Sequence, residues 1–248
     1  MLPVAVVSGA ASGIGRAVAE RFLAGGFTVL GVDLDGPQLR SLADAHGGRL
    51  IPATADVRDR NAVEDAVAGL PAGSTITVCA AIAGVVRSAP FVEMTDHDRD
   101  LVLDVNLLGT WNLVRACLPS MRRGEGSRSV VVCASIQSVV GAPGLVAYTA
   151  SKHALVGLVK ALALECAPDG ITVNAVSPAA VVTQIAPDAM TPAAVAAIRR
   201  TTPLARFSTP EEVAATFEFL CGDGARYITG ANVVVDGGAT AMNVHFLA

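Results

Sequence analysis

Short aliphatic runs alternate along the chain with longer segments whose apolar residues recur at helical spacing. The aliphatic runs predict seven strands: Val4–Ser8, Thr28–Asp33, Arg49–Ala53, Thr75–Ala80, Ser129–Ala134, Ile171–Ala175 and Asn232–Val235. The helical segments are Gly13–Ala24, Pro37–Ala45, Arg60–Val67, Asp96–Met121, Tyr148–Cys166 and Pro210–Leu220. Strands that alternate with helices indicate right-handed βαβ units. We therefore expect an α/β fold: a doubly wound parallel sheet with helices on both faces.

The 248 residues contain no repeat and no linker, so we expect one domain over residues 1–248. The segment 179–207 interrupts the strand–helix rhythm. It carries Pro187, Pro192 and Pro203 and a helix candidate, Pro192–Arg199. An insertion of this length ahead of the last helix is more typical of a substrate lid than of a second domain.

Composition narrows the function classes. Hydrophobic residues make up 52% of the chain and aromatic residues only 4%, which suits buried parallel strands of Val, Ala, Leu and Ile. Net charge is −4 without long blocks of either sign, which argues against nucleic acid as a partner. The uncharged stretches Ala66–Val86 and Ser129–Ser151 could span a bilayer by length, but both contain Gly and Pro. We interpret each as a strand with a loop and expect no membrane contact.

The N-terminus and the cysteines indicate a cytoplasmic protein. Met1–Val4 leads almost directly into a strand, without a basic segment or a signal-peptide apolar core. The five cysteines are scattered and none has C-x-x-C spacing, so neither a metal site nor a disulfide framework is expected. Buried free thiols in a reducing compartment are the expectation.

The segment Tyr148-Thr149-Ala150-Ser151-Lys152 carries the strongest chemical signal. Positions i and i+4 share one face of a helix, so the ammonium of Lys152 can lie beside the phenol of Tyr148. A neighbouring positive charge favours the phenolate, which makes the tyrosine a candidate general acid–base for a hydroxyl or carbonyl. Ser135 stands thirteen residues upstream, just after a valine-rich run. A buried tyrosine with a surface lysine would give the same short pattern by chance.

The first strand leads into a glycine-rich turn and then a helix, the arrangement that binds a dinucleotide pyrophosphate. Gly9, Gly13 and Gly15 allow a tight turn and close backbone approach to phosphates, which the free N–H groups of the helix start also face. The second strand ends at Asp33, about where an acid binds the ribose hydroxyls. A carboxylate there repels the extra phosphate of NADP, and Ser12 is neutral, so we predict NAD.

Asp33 and a second acid, Asp56, could each have a structural role instead of a contact with the cofactor. Asp33 could merely cap the turn that follows it. Asp56, which with Val57 ends the third strand and is placed to contact adenine, could instead be the N-cap of the helix near Arg60.

Together these features resemble the short-chain dehydrogenase/reductase family over essentially the whole chain. The glycine motif T-G-x-x-x-G-I-G corresponds to Ser8–Gly15, V-N-x-x-G to Val105–Gly109, Y-x-x-x-K to Tyr148–Lys152 and V-D-G-G to Val235–Gly238. The segment N-A-V-x-P-G-x-V-x-T corresponds to Asn174–Thr183, with Ala179 in place of glycine. The family's N-N-A-G is Ala81–Gly84 here, and both asparagines are absent.

The resemblance implies a Rossmann-type fold and a site in which each residue has a role. Tyr148 is the acid–base, Lys152 assists it and holds the nicotinamide ribose, and Ser135 binds the substrate oxygen. Asn106, expected at a disturbed helical turn, holds a water that links Lys152 to solvent. The residues expected at the cofactor are Gly9, Ser12, Gly13, Ile14, Gly15, Asp33, Leu34, Asp56, Val57, Ala81, Ala83, Gly84, Tyr148, Lys152, Pro178, Val181 and Thr183.

The expected reaction is hydride transfer between NAD and a secondary alcohol or ketone. Substrate contacts are expected from Val86, Ser135, Gln137, Val140, Leu145, Tyr148, Ile185 and Met190. Most are apolar, which favours a small or medium hydrophobic or cyclic compound. Family members assemble through the two long helices, so we expect a homotetramer or dimer. The alternatives are an NADPH-dependent carbonyl or carrier-protein reductase, with Arg122, Arg123 and Arg128 as a carrier patch, and an inactive cofactor-binding scaffold.

Overall fold

The computed structural model describes residues 3–182 and 191–242, whose strands form one parallel sheet in the order β3-β2-β1-β4-β5-β6-β7. The strands are β1 (Val4–Ser8), β2 (Thr28–Asp33), β3 (Leu50–Thr54), β4 (Ile76–Ala81), β5 (Arg128–Cys133), β6 (Ile171–Pro178) and β7 (Asn232–Val235). The chain builds outward from β1 to β3 and then returns to the other side of β1 at β4. This reversal opens a crevice at the carboxyl ends of β1 and β4, where open α/β sheets bind their ligands.

Eight α-helices are described, and they cover both faces of the sheet. They are α1 (Gly13–Ala24), α2 (Gly36–Ala45), α3 (Arg60–Ala68), α4 (Asp96–Leu103), α5 (Gly109–Arg123), α6 (Val146–Cys166), α7 (Pro192–Thr201) and α8 (Pro210–Cys221). A π-helical turn over Asp104–Leu108 joins α4 to α5, so the helix predicted over Asp96–Met121 is one continuous path with a distorted turn at Asn106. The α/β fold predicted from the alternating pattern is confirmed.

The strand residues divide the core into two apolar layers because successive side chains point to opposite faces. Val4 and Val6 of β1 lie in one layer, and Ala5 and Val7 lie in the other. The first layer packs against α5 and α6 through Leu113, Val114, Cys117, Leu155 and Val159. The second packs against α1, α2 and α8 through Val18, Phe22, Leu39, Val213 and Phe217. Both are mainly aliphatic, as the composition predicted.

One helical stretch, Asp96–Arg123, is long and apolar enough by length and composition to cross a membrane. Its residues Leu113, Val114 and Cys117 are buried in the core layer beside β4, so these apolar side chains serve the domain interior. The two uncharged stretches noted in the sequence are each interrupted. Ala66–Val86 holds the end of α3, a loop and β4, and Ser129–Ser151 holds most of β5, a 3-10 turn and the start of α6.

Several boundaries differ from the prediction, most of them by one or two residues, and two of these differences bear on the site. Strand β6 continues three residues past Ala175 to Pro178, because its final residues pair with β7 as far as Val235. Helix α6 begins at Val146 rather than Tyr148, and the amide of Thr149 already donates to the carbonyl of Leu145 at 2.7 Å. Tyr148 therefore lies inside the first turn of α6.

The segment expected to form a lid is described only in part. The helix predicted over Pro192–Arg199 is present as α7. The predicted site residues Thr183, Ile185 and Met190 lie outside the described residues.

Candidate active site

The glycine loop between β1 and α1 packs tightly against the chain leaving β4. Gly9 has φ +69°, and a Cβ there would lie 3.1 Å from the Cα of Ala83. A Cβ on Gly15 would overlap the carbonyl oxygen of Gly9, so only glycine fits. Ser12 is the N-cap of α1 but its side chain makes no capping bond. The first amides of α1 therefore remain available to an anion at the crevice.

Ser8 holds the chain that leaves β4, at the segment where both asparagines of the family motif are absent. Its hydroxyl oxygen accepts hydrogen bonds from the amides of Ile82 at 3.0 Å and Ala83 at 3.1 Å, just past β4. The exit of β4 is thus tied to the end of β1, directly beneath the glycine loop. Sequence reasoning gave Ser8 no role, although its place as the first letter of the glycine motif was a signal.

Asp33 connects β2 to the glycine loop. One carboxylate oxygen accepts from the amide of Ala11 at 2.9 Å, and the other accepts from the amide of Asp35 at 2.9 Å. Asp33 therefore does cap its own turn, as the alternative had it, and also holds the loop that would carry the pyrophosphate. Next to it, Leu34 is 66% exposed, so an apolar surface lies open beside the acid.

The N-cap alternative for Asp56 is wrong, because Asp59 caps α3 by accepting from the amides of Asn61 and Ala62. Asp56 instead accepts from the Arg58 guanidinium at 2.6 Å and from the Arg58 amide at 2.9 Å. These bonds hold the pKa of Asp56 below its ordinary value, against a smaller opposing effect of burial. Its neighbour Val57 is buried, and its side chain leaves no space for a Cβ at Gly109.

Tyr148 and Lys152 lie on one face of α6, as the spacing predicted. The ammonium nitrogen of Lys152 is 5.5 Å from the centroid of the Tyr148 ring. The side chain of Lys152 is buried, with 3% exposure, and its ammonium donates to the carbonyl oxygen of Cys133 at 2.8 Å. Cys133 is the last residue of β5, so this bond places the positive charge at the carboxyl edge of the sheet.

Ser135 lies two residues beyond that carbonyl and is also buried. It is the N-cap of the 3-10 turn Ile136–Ser138, and its hydroxyl oxygen accepts from the amide of Gln137 at 3.2 Å. This bond occupies a lone pair and leaves the hydroxyl proton available to a substrate oxygen. The side chains of Ser138, Ser177 and Asn232 are hydrogen-bonded to one another in a closed set. This set ties the end of the turn to β6 and β7.

Asn106 lies in the π-helical turn and is fully buried. Its side-chain oxygen accepts from the amide of Val85 at 2.8 Å, and its side-chain nitrogen donates to the carbonyl of Val85 at 3.0 Å. The same nitrogen donates to the hydroxyl of Ser151 at 3.1 Å. The side-chain amide therefore joins the exit of β4 to α6. Ser151 had no role in the sequence reasoning, although it lies between Tyr148 and Lys152 in the motif.

The two loops expected to line a substrate pocket approach each other. The amide of Ala89, in the loop after Val86, donates to the carbonyl of Gly144 at 3.0 Å, next to Leu145. The side-chain oxygen of Gln137 accepts from the hydroxyl of Thr149 at 3.4 Å. Val139 and Val140 remain 44% and 39% exposed, so apolar surface is open on this side.

The segment after β6 follows β7 and then meets the chain ahead of α8. The amide of Ala179 donates to the carbonyl of Val235 at 3.0 Å, and Val181 pairs with Ser208 in an isolated bridge. Among the described residues other than glycine, only Ala205 has a positive φ, of 55°. Ala179 therefore replaces the usual glycine with ordinary backbone geometry. Ala179 lines a cavity of about 130 Å³ together with Ala180, Thr202 and Leu204, among other residues.

Within residues 3–182 and 191–242, no group of three or more His, Cys, Asp or Glu side chains could hold a metal ion. The five cysteines are free thiols. Burial raises the pKa of the Cys133 thiol, and the charge of Lys152 opposes that rise.

The chain is similar to known proteins over nearly its whole length. Residues 9–240 match a family model described as enoyl-(acyl carrier protein) reductase. The oxidoreductase UcpA of Salmonella typhimurium is 37% identical in an alignment 249 residues long. The alignment covers 95% of this chain and 94% of that protein.

Two solved structures are similar as well. One is a protein of Beutenbergia cavernae assigned as an NAD(P)-dependent gluconate 5-dehydrogenase, with NADP bound at low occupancy. It is 36% identical, covers 97% of each chain and has a TM-score of 0.88. The other is a 3-ketoacyl-(acyl-carrier-protein) reductase of Brucella melitensis complexed with NADH, 30% identical, with a TM-score of 0.89 over 96% of this chain and 98% of that one. On its fold, its motifs and these similarities, the chain belongs to the short-chain dehydrogenase/reductase family of oxidoreductases.

Proposed function

We propose that this protein transfers a hydride between NAD and a secondary alcohol or ketone, with Tyr148 as the acid–base. The observation that carries the proposal is the position of the Lys152 ammonium. It is buried, lies beside the Tyr148 ring and is fixed to the carbonyl of Cys133, two residues from Ser135. A buried lysine is rare unless a function retains it, because taking an ammonium out of water is costly.

The residues at the crevice fit a dinucleotide. Gly9 and Gly15 lie where a side chain would clash with backbone, and the first amides of α1 face the same space. Gly84 lies against the catalytic set, since a Cβ there would be 3.2 Å from the Asn106 side-chain oxygen and 3.6 Å from the Lys152 nitrogen. These close contacts require glycine, and glycine is what lets loop backbone come near a bound dinucleotide. The cofactor supplies the hydride chemistry when bound.

The chain's own residues would handle the proton and the substrate oxygen. In the oxidative direction the Tyr148 phenolate accepts the alcohol proton, and in the reductive direction the phenol returns it. Lys152 stabilises the phenolate and keeps two further N–H groups for the nicotinamide ribose. Ser135 donates its free hydroxyl proton to the substrate oxygen as charge develops there. Asn106 holds the π-helical turn against Val85, next to this set.

Asp33 supports NAD in preference to NADP. Its carboxylate carries a negative charge at the end of β2 and is fixed by two backbone amides, so it would oppose a 2′-phosphate. The Asp33→Ser variant should shift kcat/KM toward NADP by about tenfold or more, since one like-charge repulsion is removed. The matched control is Asp35→Ser, which removes the neighbouring carboxylate, keeps an oxygen that can cap α2 and leaves Asp33 in place. A wild-type preference for NADP would contradict this part of the proposal.

For the substrate we propose a small or medium hydrophobic or cyclic alcohol or ketone. Apolar surface at Val139 and Val140 and the apolar Val86 and Leu145 support it, and Gln137 offers one polar group. By their assigned names, the two similar proteins of known structure act on gluconate and on an acyl-carrier-protein substrate. A screen of wild-type protein for NADH formation should therefore include cyclic alcohols, linear secondary alcohols, polyols and a 3-hydroxyacyl thioester. Absence of NADH formation and of NADH oxidation with every compound would contradict the enzyme.

Two of the three arginines of the predicted carrier patch, Arg122 and Arg128, make contacts within the chain, which gives less support to the carrier-protein alternative. The guanidinium of Arg122 pairs with Asp169 at 2.8 Å. Arg128 donates to the carbonyls of Met121, Gly124 and Asp169, so it closes the ends of two helical segments. The intact set Asn106, Ser135, Tyr148 and Lys152 argues against an inactive scaffold.

We also infer self-association, as a homotetramer or dimer, in the cytoplasm. The supporting feature is an apolar groove of about 360 Å³ between α5 and α6, lined by Trp111, Leu118 and Leu158 among others. Trp111 is 52% exposed there. Burial of such a patch against a second copy would remove it from water. Sedimentation of the wild type and of Trp111→Glu tests this: the variant should be a smaller species.

A further inference from the structure

We propose that Ser151 is a positioning residue of the catalytic set, acting through Asn106 and the backbone of Tyr148. The inference rests on the proposed function, since it concerns how the acid–base and its lysine are held. Ser151 is fully buried, three residues after Tyr148 and one before Lys152.

The hydroxyl of Ser151 makes two hydrogen bonds, one as an acceptor and one as a donor. It accepts from the side-chain nitrogen of Asn106 at 3.1 Å and donates to the carbonyl oxygen of Tyr148 at 2.7 Å. One hydroxyl therefore connects a side chain of the π-helical turn to the first turn of α6. A methyl group in its place could make neither bond.

Asn106 extends this connection to a third element. Its amide group binds both backbone groups of Val85, which follows Gly84 in the chain leaving β4. With the bond to Ser151, the Asn106 side chain uses its oxygen once and its nitrogen twice. The cofactor side of the crevice, the π-helical turn and the reactive helix are thus held in one arrangement by a buried chain of hydrogen bonds.

The π-helical turn needs such a connection because its backbone hydrogen bonding departs from the α-helical pattern, in which each amide bonds to the carbonyl four residues back. The amide of Gly109 bonds back to Asp104, five residues away, and the hydroxyl of Thr110 donates to the carbonyl of Asn106 at 2.8 Å. The orientation of the Asn106 side chain therefore depends on its partners, Val85 and Ser151. Without Ser151, one N–H of a buried amide lacks its acceptor, which favours a shift of the turn or of α6.

The kinetic test compares Ser151→Ala with Ser129→Ala. Ser129 is also buried, and it accepts from the hydroxyl of Thr172 at 3.0 Å, but it lies toward the opposite end of β5 from Ser135. Misplacement of catalytic groups should lower kcat of Ser151→Ala by about tenfold to a hundredfold, with KM and the Kd for NADH within about twofold of wild type. Ser129→Ala should keep the wild-type kcat. A wild-type kcat in Ser151→Ala would overturn the inference.

A double variant tests whether Ser151 acts through Asn106. In an Asn106→Ala background the further change Ser151→Ala should lower kcat by less than about twofold, because coupled residues are not additive. A loss as large as in the wild-type background would show that Ser151 does not act through Asn106.

A structural readout separates this inference from the proposed function. Amide hydrogen exchange at Val85, whose N–H donates to Asn106, should be faster in Ser151→Ala than in wild type and unchanged in Ser129→Ala. This holds even if the wild type transfers no hydride, an outcome that would contradict the proposed function alone. Unchanged exchange at Val85 in Ser151→Ala would contradict the positioning role.

Discussion

The ammonium of Lys152 donates to the backbone carbonyl of Cys133 at 2.8 Å, which joins α6 to the last residue of β5. Two residues further along stands Ser135, so the bond sets the positive charge beside the candidate acid–base and the candidate substrate anchor together. Because the carbonyl belongs to the backbone of a central strand, the position of the charge depends on the fold and not on a second side chain.

The variant Lys152→Met should lose nearly all turnover, because the phenolate would lose its stabilising charge. Its melting temperature should stay close to wild type or rise, since a buried charge is replaced by an apolar chain of similar length. The measurement is kcat with NAD alongside thermal unfolding. Lys160→Met is the matched control, because Lys160 lies on the same helix but is exposed. Wild-type turnover in Lys152→Met would contradict the role given to the lysine.

Removal of the Ser8 hydroxyl should destabilise the domain and weaken NAD binding together. In Ser8→Ala the amides of Ile82 and Ala83 lose their acceptor in a buried place, at a cost of about 1–3 kcal/mol. Ser8→Thr keeps a hydroxyl and should stay closer to wild type in both properties. Urea unfolding and NADH titration measure the two effects. A variant Ser8→Ala with unchanged unfolding free energy would mean that other groups satisfy these amides.

The strand and helix framework could be predicted from the sequence, because apolar periodicity is a local property. Thr28–Asp33 and Asn232–Val235 have the predicted bounds. Where β6 ends could not be predicted, because Ser177 and Pro178 resemble a strand end until their partners on β7 are known.

Much of the candidate site could likewise be predicted, since the spacing of Tyr148 and Lys152 is itself local. The contacts of Ser8 and Ser151 could not. Ser8 meets Ile82 across 74 residues of sequence, and Asn106 meets Ser151 across 45. A serine has the same appearance in a sequence whether its hydroxyl faces water or holds two elements together. The true partner of Asp56, Arg58, was hidden for a different reason: Asp56 and Asp59 both precede α3, and either could have capped it.

Replacement of Ala205 by glycine should stabilise the domain. Ala205 has φ +55°, a conformation that costs a residue with a Cβ about 1–2 kcal/mol, although glycine loses more freedom on folding. The net expectation is a gain of about 1 kcal/mol in urea unfolding. Ala196→Gly, in the interior of α7, should instead lose about 1 kcal/mol. A loss in Ala205→Gly would show that the left-handed turn is relaxed with alanine.

The variant Tyr148→Phe shows whether the Tyr148 phenol exchanges a proton with the substrate while hydride is transferred. The measurement is kcat for NADH formation with the best alcohol of the screen, together with the Kd for NADH. We expect a wild-type Kd and a kcat lower by a factor of about 10² to 10⁴ or more, the share that a positioned acid–base contributes. A kcat close to wild type would contradict it.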